Sequence, residues 1–66
     1  MTWNEAIVKV LAENGKSMHY LDITQEILDK GYKIKSGATP AMTVSNQLTT
    51  NPDIFRRVGK GTYELV

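Results

Sequence analysis

Between Thr39 and Lys60 the chain places short amide and hydroxyl side chains beside a run of cations. On a helix starting at Pro40, Met42, Thr43, Asn46, Thr49 and Thr50 project outward, Ser45 and Gln47 lie on the flanks, and Ala41, Val44 and Leu48 face inward. Arg56, Arg57 and Lys60 follow on a β-ribbon, and Lys33 and Lys35 precede the helix. An asparagine amide can donate and accept together against an adenine edge, hydroxyls can do either, and cations neutralise phosphates. Amides and hydroxyls on one helix with cations on a neighbouring ribbon are the parts needed to touch base edges and phosphates together. Double-stranded DNA is therefore the expected ligand. In that arrangement Thr43, Asn46 and Thr50 lie near the base edges, with Thr39 and Gln47 closer to the backbone. Lys33, Lys35, Arg56, Arg57 and Lys60 take phosphates on either side of the groove, helped by the Ala41 and Met42 amides at the positive end of the helix.

The same residues also suit a plain solvated surface. Eight cations among 66 residues are unremarkable, and Gly59-Lys60-Gly61 is a serviceable hairpin loop. Threonine and asparagine are poor helix formers, however, and a purely structural outer face would more often use Glu, Lys or Ala. That contrast favours a functional reading. Other constellations carry less. Asp22 and Glu26 are four apart on a polar helix face and read as solvated carboxylates. His19 has no companion ligand or nucleophile, so it reads as a packed or capping residue. Trp3 suits the core or a partner surface. No catalytic constellation is visible; neither enzymatic activity nor a cofactor or metal is expected.

Composition sets the frame. A chain of 66 residues has room for one domain, residues 1–66, and a fold this small buries only about 60% of its unfolded surface. Without cysteine there are no disulfide staples, so apolar packing must hold the fold, and a reducing, cytoplasmic location is the expectation. The absence of any long apolar run leaves no signal peptide or membrane span to read in the given sequence. Net charge is only +1, but unevenly distributed. Residues 1–29 hold two lysines against five acids, a net of −3, whereas residues 30–66 hold six cations against two acids, a net of +4.

The elements that must position these groups follow from local signals. Thr2 and Glu5 form a capping box for a first helix over residues 3–14, with Trp3, Ala6, Ile7, Val10 and Leu11 as its apolar stripe and Gly15 as its stop. Lys16 to Tyr20 reads as a short strand lying against a later hairpin. A second helix begins at Tyr20 or Leu21, turns Tyr20, Leu21, Ile23, Thr24, Ile27 and Leu28 to one side, and closes at Gly31. Thr39 is the expected N-cap of the third, Pro40 its first residue, and Asn51-Pro52-Asp53 its end. Ile54–Val58 and Thr62–Val66 then form a hairpin with a flexible basic tip. Phe55 and Val58 cannot both face the core from one regular strand, so either Phe55 precedes the strand or the strand is bulged. Three helices and a C-terminal β-hairpin wing, mainly α with a little β, make a winged helix-turn-helix. Because the last residues continue a strand pattern, the domain is expected to be cut from a longer polypeptide.

These residues resemble a known family. Thr2-Trp3 with Glu5-Ala6, Val10-Leu11, Met18-His19-Tyr20, Ile23 and Ile27-Leu28 lead to the Gly37-x-Thr39-Pro40 turn. Val44 with Leu48, then Phe55-x-Arg57 and Gly61-Thr62-Tyr63-x-Leu65 complete an ordered set similar to the HARE-HTH domain, from Thr2 to Leu65. That family is a winged helix-turn-helix found in bacterial restriction endonucleases, in the delta subunit of bacterial RNA polymerase, and in eukaryotic chromatin proteins of the Additional-sex-combs-like group. The resemblance implies DNA binding as a targeting module of a larger bacterial, restriction-type DNA-processing protein. The polymerase members and the acidic first half support an alternative, a protein-interaction module docking on RNA polymerase or a nuclease partner. Ala38 departs from the family pattern, since this turn often holds lysine, and so removes one possible phosphate contact.

Overall fold

A computed structural model describes residues 1–33 and 39–66. The chain runs α1 (Trp3–Asn14), β1 (Met18–His19), α2 (Tyr20–Asp29), α3 (Pro40–Thr50), β2 (Phe55–Gly59) and β3 (Thr62–Leu65). The three strands form one antiparallel sheet in the order β1-β3-β2, so the hairpin is joined to the helices through the short strand between α1 and α2. This is the winged helix-turn-helix that the element order predicts.

Local chemistry explains each helix boundary. The Thr2 hydroxyl accepts from the Glu5 amide at 3.1 Å while the Glu5 carboxylate accepts from the Thr2 amide at 2.9 Å, a complete capping box. Those bonds hold the Glu5 carboxyl below its ordinary range, with the backbone bond to Thr2 the largest cause. Gly15, at φ 73°, ends α1 by donating to the Leu11 carbonyl. His19 caps α2, its Nδ1 accepting from the Leu21 amide at 3.2 Å. The imidazole thus takes the place that Ser, Thr, Asp or Asn usually fill, satisfying a donor that the helix cannot. Thr39 occupies the N-cap position of α3, as its sequence predicts, yet its hydroxyl makes no capping bond.

The core draws on every layer. Ala6, Ile7, Val10 and Leu11 of α1 meet Ile23 and Ile27 of α2, Val44 and Leu48 of α3, and Phe55 and Tyr63 from the hairpin. Trp3 is half-buried against this cluster. Leu21 corrects the expected inner face of α2, because it is 51% exposed. At about 100° per residue it projects roughly 120° away from Ile27, outside the arc that Ile23, Thr24 and Ile27 turn inward. Phe55 is the first residue of β2 and is buried, and the register shifts between Arg57 and Gly59, so the strand is bulged there. The extra residue is Val58, which turns outward at 46% exposure.

Candidate nucleic-acid interface

Helix α3 carries no charged residue over its whole length, Pro40 to Thr50. Val44 and Leu48 are buried beneath it, and by helical geometry Met42, Asn46 and Thr49 fall within an arc of about 60° on the opposite side. All three are exposed. The Asn46 amide makes no hydrogen bond among the described residues, so its donor and acceptor are both available. The threonines differ. Thr50 Oγ1 donates to the Asn46 carbonyl at 2.7 Å and Thr49 Oγ1 to the Ser45 and Asn46 carbonyls at 3.1 Å, while Thr43 makes a longer bond to the Thr39 carbonyl at 3.5 Å. These back-bonds spend the hydroxyl protons inside the helix and leave oxygen lone pairs as the outward polarity.

The hairpin borders one flank of this helix. Leu48, Thr49 and Pro52 line a shallow depression together with Phe55, Arg57 and Tyr63. A second depression, at the start of α3, is lined by Tyr20, Thr39, Ala41, Met42 and Ser45. Ala41, Ser45 and Thr49 share the flank that carries these two depressions, with Thr49 against the hairpin, whereas Thr43, Gln47 and Thr50 fall on the other flank by the same helical geometry. Sequence periodicity alone cannot distinguish these two flanks, because it reports depth and not which neighbour a face meets. Tyr20 and Ser45 join the candidate surface only through tertiary packing, and no sequence signal marked them.

The two adjacent arginines part company. Arg56 stands opposite Glu64 across the ribbon and is paired with its carboxylate. Arg57 stands opposite Tyr63, on the face that meets α3. Its Nε donates to the Gly59 carbonyl at 3.1 Å, which steadies the side chain and leaves the terminal guanidinium nitrogens unpartnered among the described residues. A single step along a strand reverses the side-chain face, so only one of two consecutive arginines can share a surface with α3.

Lys60 sits at the hairpin turn, which is joined to the start of α2 by a backbone hydrogen bond. The Tyr20 amide donates to the Gly61 carbonyl at 2.8 Å, and Gly61 adopts φ 70°. Lys33 lies beyond the far end of α2, 5.9 Å from the centre of the Trp3 ring. The ten-residue α2, about 14 Å long, runs from Tyr20, which is bonded to the Gly61 turn, to Asp29, four residues before Lys33. The amide of Met42 donates to the Thr39 carbonyl at 3.1 Å, which engages it within the first turn. Lys35 and the Gly37–Ala38 part of the predicted turn lie outside the described residues.

A separate group of cations is tied up in ion pairs. Glu13 accepts from the Tyr32 phenol at 2.8 Å and from Lys30 at 3.1 Å, and Lys9 lies 3.7 Å away. Lys30 also pairs with Glu26 at 3.4 Å. The bond from Tyr32, then that from Lys30, holds the Glu13 carboxyl below its usual range, and the same carboxylate raises both Lys30 and Tyr32. These cations are already matched to carboxylates, unlike Arg57.

The HARE-HTH family model, for the helix-turn-helix domain named for ASXL and restriction endonuclease proteins, matches residues 1–66. The chain belongs to the HARE-HTH family. HARE-HTH is a helix-turn-helix family, generally DNA-binding and not catalytic in itself. Neither curated proteins nor solved structures gave a significant match. Among the described residues no helix is long and apolar enough to cross a membrane, and no three potential ligand side chains gather into a metal site.

Proposed function

We propose that this chain binds double-stranded DNA, with the outward side of α3 in the major groove and Arg57 and Lys60 on the phosphate backbone. The observation that carries this reading is the shared surface of Arg57 and Thr49, which sets an unmatched cation beside a charge-free helix face. Asn46 is the base-reading amide, and Thr43, Gln47 and Thr50 line the second flank. Lys33 and Lys35 are the further cations of this reading, each offered to a phosphate. Thr39 stands at the helix start, where its hydroxyl, which makes no capping bond, is offered to a phosphate oxygen. Arg56 contributes long-range field only, because Glu64 already occupies it. The wider role is that of a targeting module for a larger bacterial DNA-processing protein of restriction type, acting in the cytoplasm.

Titration of a labelled duplex across a salt series tests the reading. With three or four phosphates neutralised, the logarithm of the binding constant should fall against the logarithm of salt with a slope near −3. Arg57→Ala should weaken binding and reduce that slope by about one, whereas Arg56→Ala should change it little. Absence of saturable binding at low salt, or equal effects of the two substitutions, would contradict the arrangement.

One observation favours a second reading, docking on a protein partner such as a polymerase or nuclease. Leu21 is 51% exposed at the start of α2. If that surface is the functional one, Leu21→Ser should abolish partner binding and leave duplex binding intact.

A further inference from the structure

Met42 is 65% exposed, a large apolar side chain on the outer side of an otherwise polar helix. It is not part of the core, which α3 enters through Val44 and Leu48. It borders the depression formed with Tyr20, Thr39, Ala41 and Ser45. It precedes Asn46 by one helical turn on the same side, a rise of about 6 Å, and base pairs step by about 3.4 Å along a duplex. Two side chains so spaced address base pairs one or two steps apart. The apolar group that B-DNA presents in its major groove is the 5-methyl of thymine, and flexible methionine can settle on it without a fixed partner shape.

We propose that Met42 is a specificity-determining residue that packs against a thymine methyl group while Asn46 reads an adjacent adenine. The inference rests on the duplex-binding reading above and adds a base preference to it: the chain favours A·T steps through an apolar contact, in addition to the amide. Charge has no part in this contact, so it is separable from the Arg57 and Lys60 terms by its insensitivity to salt.

Three alternating duplexes test it at one fixed low salt concentration: poly(dA-dT), poly(dA-dU), which lacks only the methyl groups, and poly(dG-dC). The wild-type chain should bind the thymine duplex about fourfold more tightly than the uracil duplex, the effect of burying one methyl group. It should bind poly(dG-dC) least. Met42→Ala should bind the thymine and uracil duplexes equally, and Met42→Leu should keep the preference. Far-ultraviolet circular dichroism of both variants checks that α3 is intact, as the exposure of the residue leads us to expect. Equal wild-type affinity for the thymine and uracil duplexes, or a preference that survives in Met42→Ala, would overturn the assignment while leaving backbone binding in place. Failure to bind any of the three would remove the duplex reading itself.

Discussion

Glu13 shows how a single side chain can occupy several neighbours at once. Its carboxylate takes the Tyr32 phenol, Lys30 and Lys9, and so links α1 to the segment that follows α2. Because these bonds lower the Glu13 pKa in the folded chain, their contribution is present above the ordinary carboxylate range and is lost as pH falls through the lowered value. Lys30 and Tyr32 are raised by the same bonds to Glu13, so on the alkaline side these bonds hold until pH rises through the raised Lys30 and Tyr32 values. Glu13→Gln should therefore lower the melting temperature at neutral pH and shrink the drop between about pH 7 and pH 3. Thermal melts at the two pH values check this, and an undiminished acid drop in the variant would show that the tether contributes nothing. Residue types foretold some of this scale and missed the rest. The capping role of His19 followed from its isolation, whereas the contrast between Arg56 and Arg57 needed the strand register, which only the pairing partners Glu64 and Tyr63 define.

At the scale of elements, the hairpin is positioned by a residue with no side chain. Gly61 combines a left-handed φ of 70° with a close approach to α2, where an added Cβ would meet His19 Nε2 at 2.7 Å and the Tyr20 ring at 3.2 Å. Gly61→Ala should cost about 1–2 kcal/mol from the backbone conformation alone, with the clash added to it. Faster exchange of the Tyr20 amide, which donates to the Gly61 carbonyl, and a lowered melting temperature would report the loosened hairpin. Unchanged exchange would mean that the turn is not what seats the ribbon. Capping signals made all three helices readable to within a residue or two, since Thr2, Gly15, Gly31 and Pro40 act locally. The bulge at Val58 was legible only as a conflict of parity. Leu21 was misplaced because a helical stripe in sequence does not report which residues at its edge the neighbouring elements cover.

For the whole molecule, the cations around Glu13 are matched to carboxylates, whereas the uncharged helix α3 stands next to an arginine without a carboxylate partner among the described residues. The sequence already contained a charge imbalance between its two halves, but tertiary packing decides that Thr49, and not Thr43 or Gln47, lies against the hairpin. The surface shared by α3 and Arg57 is where the duplex should dock. Amide chemical-shift mapping during titration with a short duplex at low salt tests it most directly. The largest changes should fall at Met42, Asn46, Thr49, Arg57 and Lys60, with Lys9, Glu13 and Glu26 unmoved. Changes centred on the Glu13 side, or a spectrum that stays inert at saturating duplex, would contradict it.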